Sequence, residues 1–282
     1  MKPRTRQGST PISHLPLVAL LFILCNLILL IMTETILQKL LELEQTENIR
    51  ILYACESGSR AWGFASPDSD FDVRFIYARP VNDYLSITDL PDNVGLPVNE
   101  VLDIGGWDIK KALKLFLKSN STLYEWLQSP IVYQEDAVFA DDLRKLMPQY
   151  FSLRSGANHY LSMAHNTLRD DLQTEQVKLK RYFYALRPAL ACLWIVEKQT
   201  VPPMEFEHLR VMITDSVVQN AIDELLERKK TANEKALIAP VPVLNQWLSD
   251  TFGWCKERVP MLPSEKQYPN KLNNIFRKYI RP

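Results

Sequence analysis

The sequence predicts an α+β protein, in which a small unit of helix and strands (32–130) precedes an all-helical unit (136–282). Two observations predict this arrangement. Short runs of strand-forming residues are confined to the first unit, and helical spacing of apolar residues dominates the second. The 282 residues, 46% of them hydrophobic, are enough to bury cores in units of these sizes.

Residues 1–31 precede both units as a hydrophobic N-terminal extension, and an apolar run occupies residues 15–32. Eighteen helical residues span about 27 Å, slightly less than a bilayer crossing needs. Because no small-residue cleavage site follows, an inner-membrane anchor fits better than a cleaved signal peptide. The alternative is that translation starts at Met32. The membrane is then no partner, and the protein is cytoplasmic.

The charge balance and the cysteines exclude several classes of protein. Lys and Arg (33) equal Asp and Glu (33), so no global positive field attracts nucleic acid or an anionic membrane. The four cysteines lie far apart and form no CxxC pair, which argues against structural zinc and a disulfide scaffold. This usage is typical of a reducing compartment.

Within the first unit, composition predicts one helix followed by three strands. The helix covers 33–46, and the strands cover 51–55, 71–77 and 100–104. A proline-containing loop at 80–99 precedes the third strand, and Gly105-Gly106 is expected to end it. From Trp107 onward, apolar residues recur at i, i+3 and i+4, with prolines between the segments, which predicts a series of helices.

The stretch ACESGSRAWGFASPDSDFDVRFIYAR, residues 54–79, carries the chemistry. Gly58 lets the backbone approach a ligand closely, and a helix beginning there offers free N–H groups to phosphate oxygens. Ser59 adds a hydroxyl and Arg60 adds a positive charge. These three residues are the candidate triphosphate contacts.

Asp70 and Asp72 lie two residues apart on a predicted strand, so their carboxylates leave the same face. Two carboxylates about 4 Å apart repel by roughly 1 to 4 kcal/mol, and a divalent cation removes that cost. Mg²⁺ suits the site because it prefers oxygen ligands and is shared with substrate phosphates. Asp103 is placed to be the third metal-binding and catalytic acid, and Asp108 is the alternative.

Gly58-Ser59, the Asp70-Phe71-Asp72 strand and the later Asp103 resemble the DNA-polymerase-beta-type nucleotidyltransferase superfamily. From Met32 to about residue 210, the sequence also resembles its bacterial and phage RNA-repair-pathway group. The resemblance implies a mixed-sheet catalytic domain, a C-terminal helical domain, Mg²⁺ and a nucleoside triphosphate. It implies metal ligation by Asp70, Asp72 and Asp103.

One helical segment, 178–197, carries a polar stripe of Lys180, Tyr184 and Arg187 opposite its apolar face. This stripe faces either water or the catalytic cleft. Related two-domain nucleotidyltransferases favour closure over the triphosphate, which makes Lys180 and Arg187 candidate substrate-binding residues.

These residues predict a magnesium-dependent transfer of a nucleoside monophosphate from an NTP to an acceptor hydroxyl, with release of pyrophosphate. An RNA 3′ end, a protein hydroxyl and a small molecule are the candidate acceptors. The alternative is a non-catalytic nucleotide-binding protein, regulatory or membrane-tethered, that keeps the fold without turnover.

Overall fold

The computed structural model describes residues 17–99, 101–265 and 267–281, with side chains from residue 27 onward. A five-stranded mixed sheet in the order β3-β4-β2-β1-β5 is surrounded by helices, which confirms the α+β prediction. The strands are β1 (Arg50–Glu56), β2 (Phe71–Ala78), β3 (Asn93–Gly95), β4 (Leu102–Asp108) and β5 (Val132–Glu135), with β6 (Val177–Lys178) and β7 (Leu237–Ile238) forming a separate pair.

Twelve α-helices are described in the same part of the chain. They are α1 (Leu17–Thr46), α2 (Gly58–Trp62), α3 (Val81–Tyr84), α4 (Ile109–Leu117), α5 (Ser121–Trp126), α6 (Ala137–Tyr150), α7 (Leu153–Asp170), α8 (Leu179–Lys198), α9 (Phe206–Arg210), α10 (Ser216–Lys229), α11 (Pro242–Arg258) and α12 (Asn270–Tyr279).

The two faces of β2 differ because its side chains alternate. Val73, Phe75 and Tyr77 are buried in a core that α1 covers. Asp72 and Arg74 leave the opposite face and are only half-buried. β2 is antiparallel to β1 and parallel to β4, and it pairs edge to edge with β4 along seven residue pairs.

The C-terminal half of α1 packs on the sheet. Ile36, Leu40 and Leu43 are buried against the sheet, whereas the apolar segment 27–31 is about half exposed. Within the described residues, no helix has both the length and the apolar character that a membrane crossing requires. Residues 1–16, where the predicted apolar run begins, lie outside the described residues.

A single large core continues from the sheet into the helical region. It joins Leu52 and Ile76 on the sheet to Phe183 and Leu186 of α8 and to Leu248 of α11. The two predicted units therefore share buried surface, and their division at 130–136 stays a prediction.

Three sequence predictions about local structure were wrong. The third strand does not end at Gly105-Gly106: β4 runs through both glycines to Asp108 because neighbouring strands pair with it on both sides. The loop predicted at 80–99 contains the short edge strand β3, and the edge strand β5 was not predicted. The helical unit contains the two-residue strands β6 and β7, so it is not all-helical.

Gly106 provides a test of this packing. A methyl group at Gly106 would overlap the ring of Phe75, whereas a methyl group at Gly105 would have Arg74 Nη1 as its nearest neighbour at 3.8 Å. We expect Gly106→Ala to lower the free energy of unfolding by about 1 to 3 kcal/mol, since overpacking forces the ring to move. Urea denaturation of Gly106→Ala and of the control Gly105→Ala measures this, and equal midpoints would contradict the account.

Candidate active site

The structure brings two of the three predicted acids together. Asp72 on β2 is directly opposite Asp103 on β4 in the parallel register. Their side chains are 26% and 27% exposed, so both reach the cleft on the face opposite α1. Asp70 directly precedes β2 and is exposed. The interpretation that Asp103 neighbours the Asp70-Phe71-Asp72 segment therefore agrees with the register of the sheet.

Asp108, the alternative third acid, lies at the far end of β4. Its carboxylate accepts hydrogen bonds from the Lys110 N–H at 2.7 Å and from the Tyr84 hydroxyl at 2.7 Å. Asp108 is thus the N-cap of α4, which satisfies a backbone donor that the helix itself leaves unpaired. Asp108 and Asp72 therefore lie near opposite ends of the paired strands β4 and β2.

Arg74 links the two neighbouring acids. Its Nη2 donates to Asp103 Oδ2 at 2.6 Å and to Asp72 Oδ1 at 3.3 Å. Arg74 therefore neutralises part of the charge of both acids. In the described part of the chain, Asp72 Oδ2 and Asp103 Oδ1 accept no hydrogen bond, so one oxygen of each acid remains available.

The negative charge around Asp72 exceeds what Arg74 balances. Burial raises the pKa of Asp72 above its ordinary value, and the charges of Asp70, Asp103 and Glu234 raise it further, while Arg74 opposes them. A raised pKa means that the folded environment of Asp72 disfavours the ionised carboxylate. A bound cation would reverse this effect.

The donor set fits a magnesium ion. The free atoms are carboxylate oxygens, which are the ligands that this hard cation prefers, and the uncompensated charge favours a divalent ion. Within the described residues, no three His, Cys, Asp or Glu side chains are close enough to form an assembled metal centre. The three aspartates therefore stay a predicted ligand set.

Gly58 has to be a glycine at its position between β1 and α2. Its φ of +62° is in the left-handed region, and any side chain on it would overlap the carboxylate of Asp72. The Ser57 N–H donates to Asp72 O at 2.8 Å and fixes the same junction to β2. The absence of a side chain lets this turn lie directly against the acid.

Ser59 and Arg60 fasten the loop that precedes β2. The buried Ser59 hydroxyl donates to Ser69 Oγ at 3.2 Å. Arg60 Nε donates to Asp70 O at 2.9 Å, and its guanidinium lies 3.8 Å from the centre of the Phe71 ring. These bonds hold Asp70 in place, and contact of Gly58, Ser59 and Arg60 with a triphosphate stays a prediction.

Glu56 has a role that the sequence did not resolve. It is fully buried, its Oε1 accepts the Asp72 N–H at 2.8 Å and its Oε2 accepts the Tyr133 hydroxyl at 2.5 Å. Burial raises the pKa of Glu56 to about 7. Glu56 therefore holds the backbone of Asp72 in place through this hydrogen bond. In the sequence, its role is indicated only by the position of an acid at the end of an apolar strand.

The helical region reaches the site through α8 and the loop after α10. Lys180 Nζ on α8 donates to Glu234 Oε2 at 2.5 Å, and Glu234 Oε1 accepts the Ser69 hydroxyl at 2.8 Å. Lys180 thus lies close to the loop that carries Asp70. Glu234, whose charge also raises the pKa of Asp72, was not identified from the sequence because it belongs to no motif.

Tyr184 and Trp62 close the same side of the cleft. Their rings meet edge to face, with centroids 5.7 Å apart. Burial raises the pKa of Tyr184 to about 12, and the nearby charges of Glu234, Asp72 and Asp70 contribute. Trp62 packs here under the loop rather than standing free, since its Nε1 also donates to Glu125 Oε2 at 3.2 Å.

The prediction that Arg187 contacts the triphosphate was wrong. The residue is only 3% exposed, and its Nη1 donates to Glu125 Oε1 at 3.0 Å while Nε and Nη2 donate to Met204 O. The guanidinium also lies 4.5 Å from the Trp62 ring centre. Helical spacing showed a polar stripe but could not show that α5 supplies a buried carboxylate opposite it.

Comparison with known proteins gives one family and two similar proteins. A family model described as "RNA repair pathway DNA polymerase beta family" matches residues 32–278, which confirms the resemblance. "Uncharacterized protein YcgL" of Bacillus subtilis (strain 168) is 42% identical over 247 residues, covering 87% of this chain and 95% of that protein. A crystal structure of a nucleotidyltransferase-like protein from Exiguobacterium sibiricum 255-15 aligns with a TM-score of 0.29 and 12% identity, covering 82% of this chain and 76% of the other.

Because one of the α8 cations Arg187 and Lys180 is in a buried ion pair, replacing each of them should change the free energy of unfolding by very different amounts. Arg187→Met leaves the Glu125 carboxylate buried without its charge partner, which should cost about 3 to 5 kcal/mol in the free energy of unfolding. Lys180→Met removes a pair whose side chains are 28% and 23% exposed and should cost about 1 kcal/mol or less. Urea denaturation measures both, and similar losses would show that Arg187 is not the structural cation.

Glu56 predicts a pH dependence of stability. Its ordinary pKa of 4.5 applies to the unfolded chain and its folded pKa is about 7, so the folded state holds the proton more tightly. The resulting stabilisation is present below pH 4.5 and is lost as the pH rises to about 7, on the order of 3 kcal/mol. Glu56→Gln should lack this loss. Unfolding in metal-free buffer at several pH values checks it, and parallel profiles for parent and variant would disprove it.

Proposed function

Because the chain belongs to the RNA repair pathway DNA polymerase beta family, we propose that it is a magnesium-dependent nucleotidyltransferase. It transfers a nucleoside monophosphate from an NTP to an acceptor hydroxyl and releases pyrophosphate. We propose the cytoplasm as its compartment, since the buried free thiols of Cys55, Cys192 and Cys255 are typical of reducing conditions.

The observation that supports this proposal most is the pairing of Asp72 with Asp103. Adjacent parallel strands hold the two carboxylates side by side, each keeps one oxygen free, and burial together with the neighbouring acids raises the pKa of Asp72. A protein that bound nucleotides without a metal would gain nothing from this clustered charge, because phosphate groups are themselves anionic.

Asp70, Asp72 and Asp103 would hold Mg²⁺ at this position. The metal would supply neutralisation of the triphosphate and polarisation of the attacking hydroxyl when bound. The acceptor oxygen forms a bond to the α-phosphorus, and the bond to the pyrophosphate oxygen breaks. The hydroxyl proton passes to solvent water, while Arg74 holds Asp103 Oδ2 and so keeps Oδ1 turned toward the position that the metal would take.

The other residues of the cleft position the triphosphate and exclude water. The turn at Gly58 brings backbone within contact of Asp72 and leaves no side chain in the way of a phosphate. Lys180 is the cation on the helical side that a triphosphate would meet, and it would exchange Glu234 for a phosphate oxygen.

Label transfer tests the reaction directly. The purified protein is incubated with each NTP labelled at the α-phosphate, Mg²⁺ and a mixed RNA pool, and the label is followed into RNA, protein and small molecules. Label in RNA supports an RNA acceptor, and label elsewhere identifies another acceptor class. Tight NTP binding without any transfer would contradict catalysis and favour a non-catalytic nucleotide-binding protein.

Four aspartate variants distinguish the acids. Asp70→Asn, Asp72→Asn and Asp103→Asn should each lower label transfer by at least a hundredfold, because each removes a metal-binding charge while keeping the side-chain shape. Asp108→Asn is the matched control. It should keep transfer within about threefold, since asparagine also caps a helix. Thermal melting shows that each variant folds, and full activity in a folded Asp72→Asn protein would overturn the mechanism.

A further inference from the structure

The cleft face beside the acids has two neighbouring positions without side chains. Gly105 on β4 pairs with Arg74 on β2 and with Gly95 on β3, so all three lie in one row across the sheet. This row is two residues, or about 7 Å, from the row of Asp72 and Asp103. We call Gly95 and Gly105 the glycine shelf.

A cavity of about 380 Å³ lies over the glycine shelf. Arg74 and Asp103 line the end nearest the proposed catalytic site, and Trp107 and Trp126 form an aromatic wall, with their ring centroids 4.0 Å apart. The space is therefore flat on one side, aromatic on another and continuous with the acids.

The wall of this cavity also contains an unused donor. Trp126 is only 2% exposed, and its Nε1 has no hydrogen-bond partner in the described part of the chain. A buried N–H without a partner costs free energy unless something accepts its proton.

Lysine side chains of α4 lie beyond the aromatic wall, on the side away from the acids. Lys111 Nζ lies 5.7 Å from the Trp107 ring centre. Lys110 and Lys114 are exposed on the same helix, α4, which begins directly after β4. Asp92 balances Lys111 at 3.0 Å, so Lys110 and Lys114 are the cations more available to a phosphate backbone.

We propose that the glycine shelf binds the terminal nucleobase of a single-stranded polynucleotide acceptor, whose sugar hydroxyl then faces Asp103 and whose backbone continues along α4. This assignment rests on the proposed function. A base offers a flat ring that can stack on the aromatic wall at Trp107, and its strand carries phosphates for the lysines. An acceptor hydroxyl on a protein would use none of these features.

Gly105→Leu tests the shelf without disturbing the fold. A Cβ at this position meets only Arg74 Nη1 at 3.8 Å, and the backbone is not left-handed, so the leucine extends into the cavity. Gly253→Leu is the matched control, because Gly253 is exposed on α11 and a Cβ there meets nothing within 4 Å. Neither change should lower the melting temperature by more than a few degrees.

The probe is a 5′-fluorescein RNA octamer that ends in a 3′-deoxynucleotide, so it binds without reacting. By fluorescence anisotropy, Gly105→Leu should bind it at least tenfold more weakly than the parent, and Gly253→Leu should bind it equally. Calorimetry with NTP and Mg²⁺ should give the same affinity for all three proteins. No binding by the parent, or equal binding by Gly105→Leu, would overturn the proposal.

Two further measurements locate the strand and separate this proposal from the reaction itself. An octamer ending in 4-thiouridine should crosslink to the peptide that contains Trp107, and a terminal crosslink elsewhere overturns the shelf. If the parent crosslinks there but transfers no label, the proposed function fails and the shelf stands. If RNA is labelled and Gly105→Leu keeps the parental KM for RNA, the shelf fails and the function stands.

Discussion

The parallel pairing of β2 with β4 is the constraint on which the candidate site depends. In this register, Asp72 faces Asp103, and Arg74 two residues later reaches both carboxylates. Parallel strands need a long connection, and here residues 79–101 provide it and add β3 outside β4. A shift of one residue would turn Asp103 to the α1 side, where Val73 and Phe75 are packed.

The helical region is joined to the sheet by a buried charge rather than by apolar contact alone. Glu125 from α5 accepts bonds from Arg187 on α8, from Tyr160 on α7 and from Trp62 on α2. Because α2 begins with Gly58, this network fixes the turn beside Asp72 to α8, the helix that carries Lys180 and Tyr184. A charge buried without such partners would be costly, so the network also specifies how the helices pack.

Much of the fold could be predicted because the strong strands and helices carry their own patterns. The alternation of β2 and the apolar run of β1 identify two central strands, and helical spacing identifies the long helices. The short strands β3 and β5 were missed because three or four residues, Asn93–Gly95 and Val132–Glu135, have no period of their own. They become strands only because β4 and β1 offer unpaired edges. The same pairing carries β4 through Gly105 and Gly106 against their propensity.

The sequence by itself determined the acidic motif, since Asp70, Asp72 and Gly58 lie within fifteen residues and local geometry relates them. It also ranked Asp103 above Asp108, because Asp108, two residues after Gly106, more simply favours a helix N-terminus. Only the tertiary structure decided that Arg187 is buried against Glu125, that Glu56 supports Asp72 from below and that Glu234 lies near the acids. These side chains come from segments distant in the chain. Their contacts depend on how the sheet and helices pack, which no local spacing records.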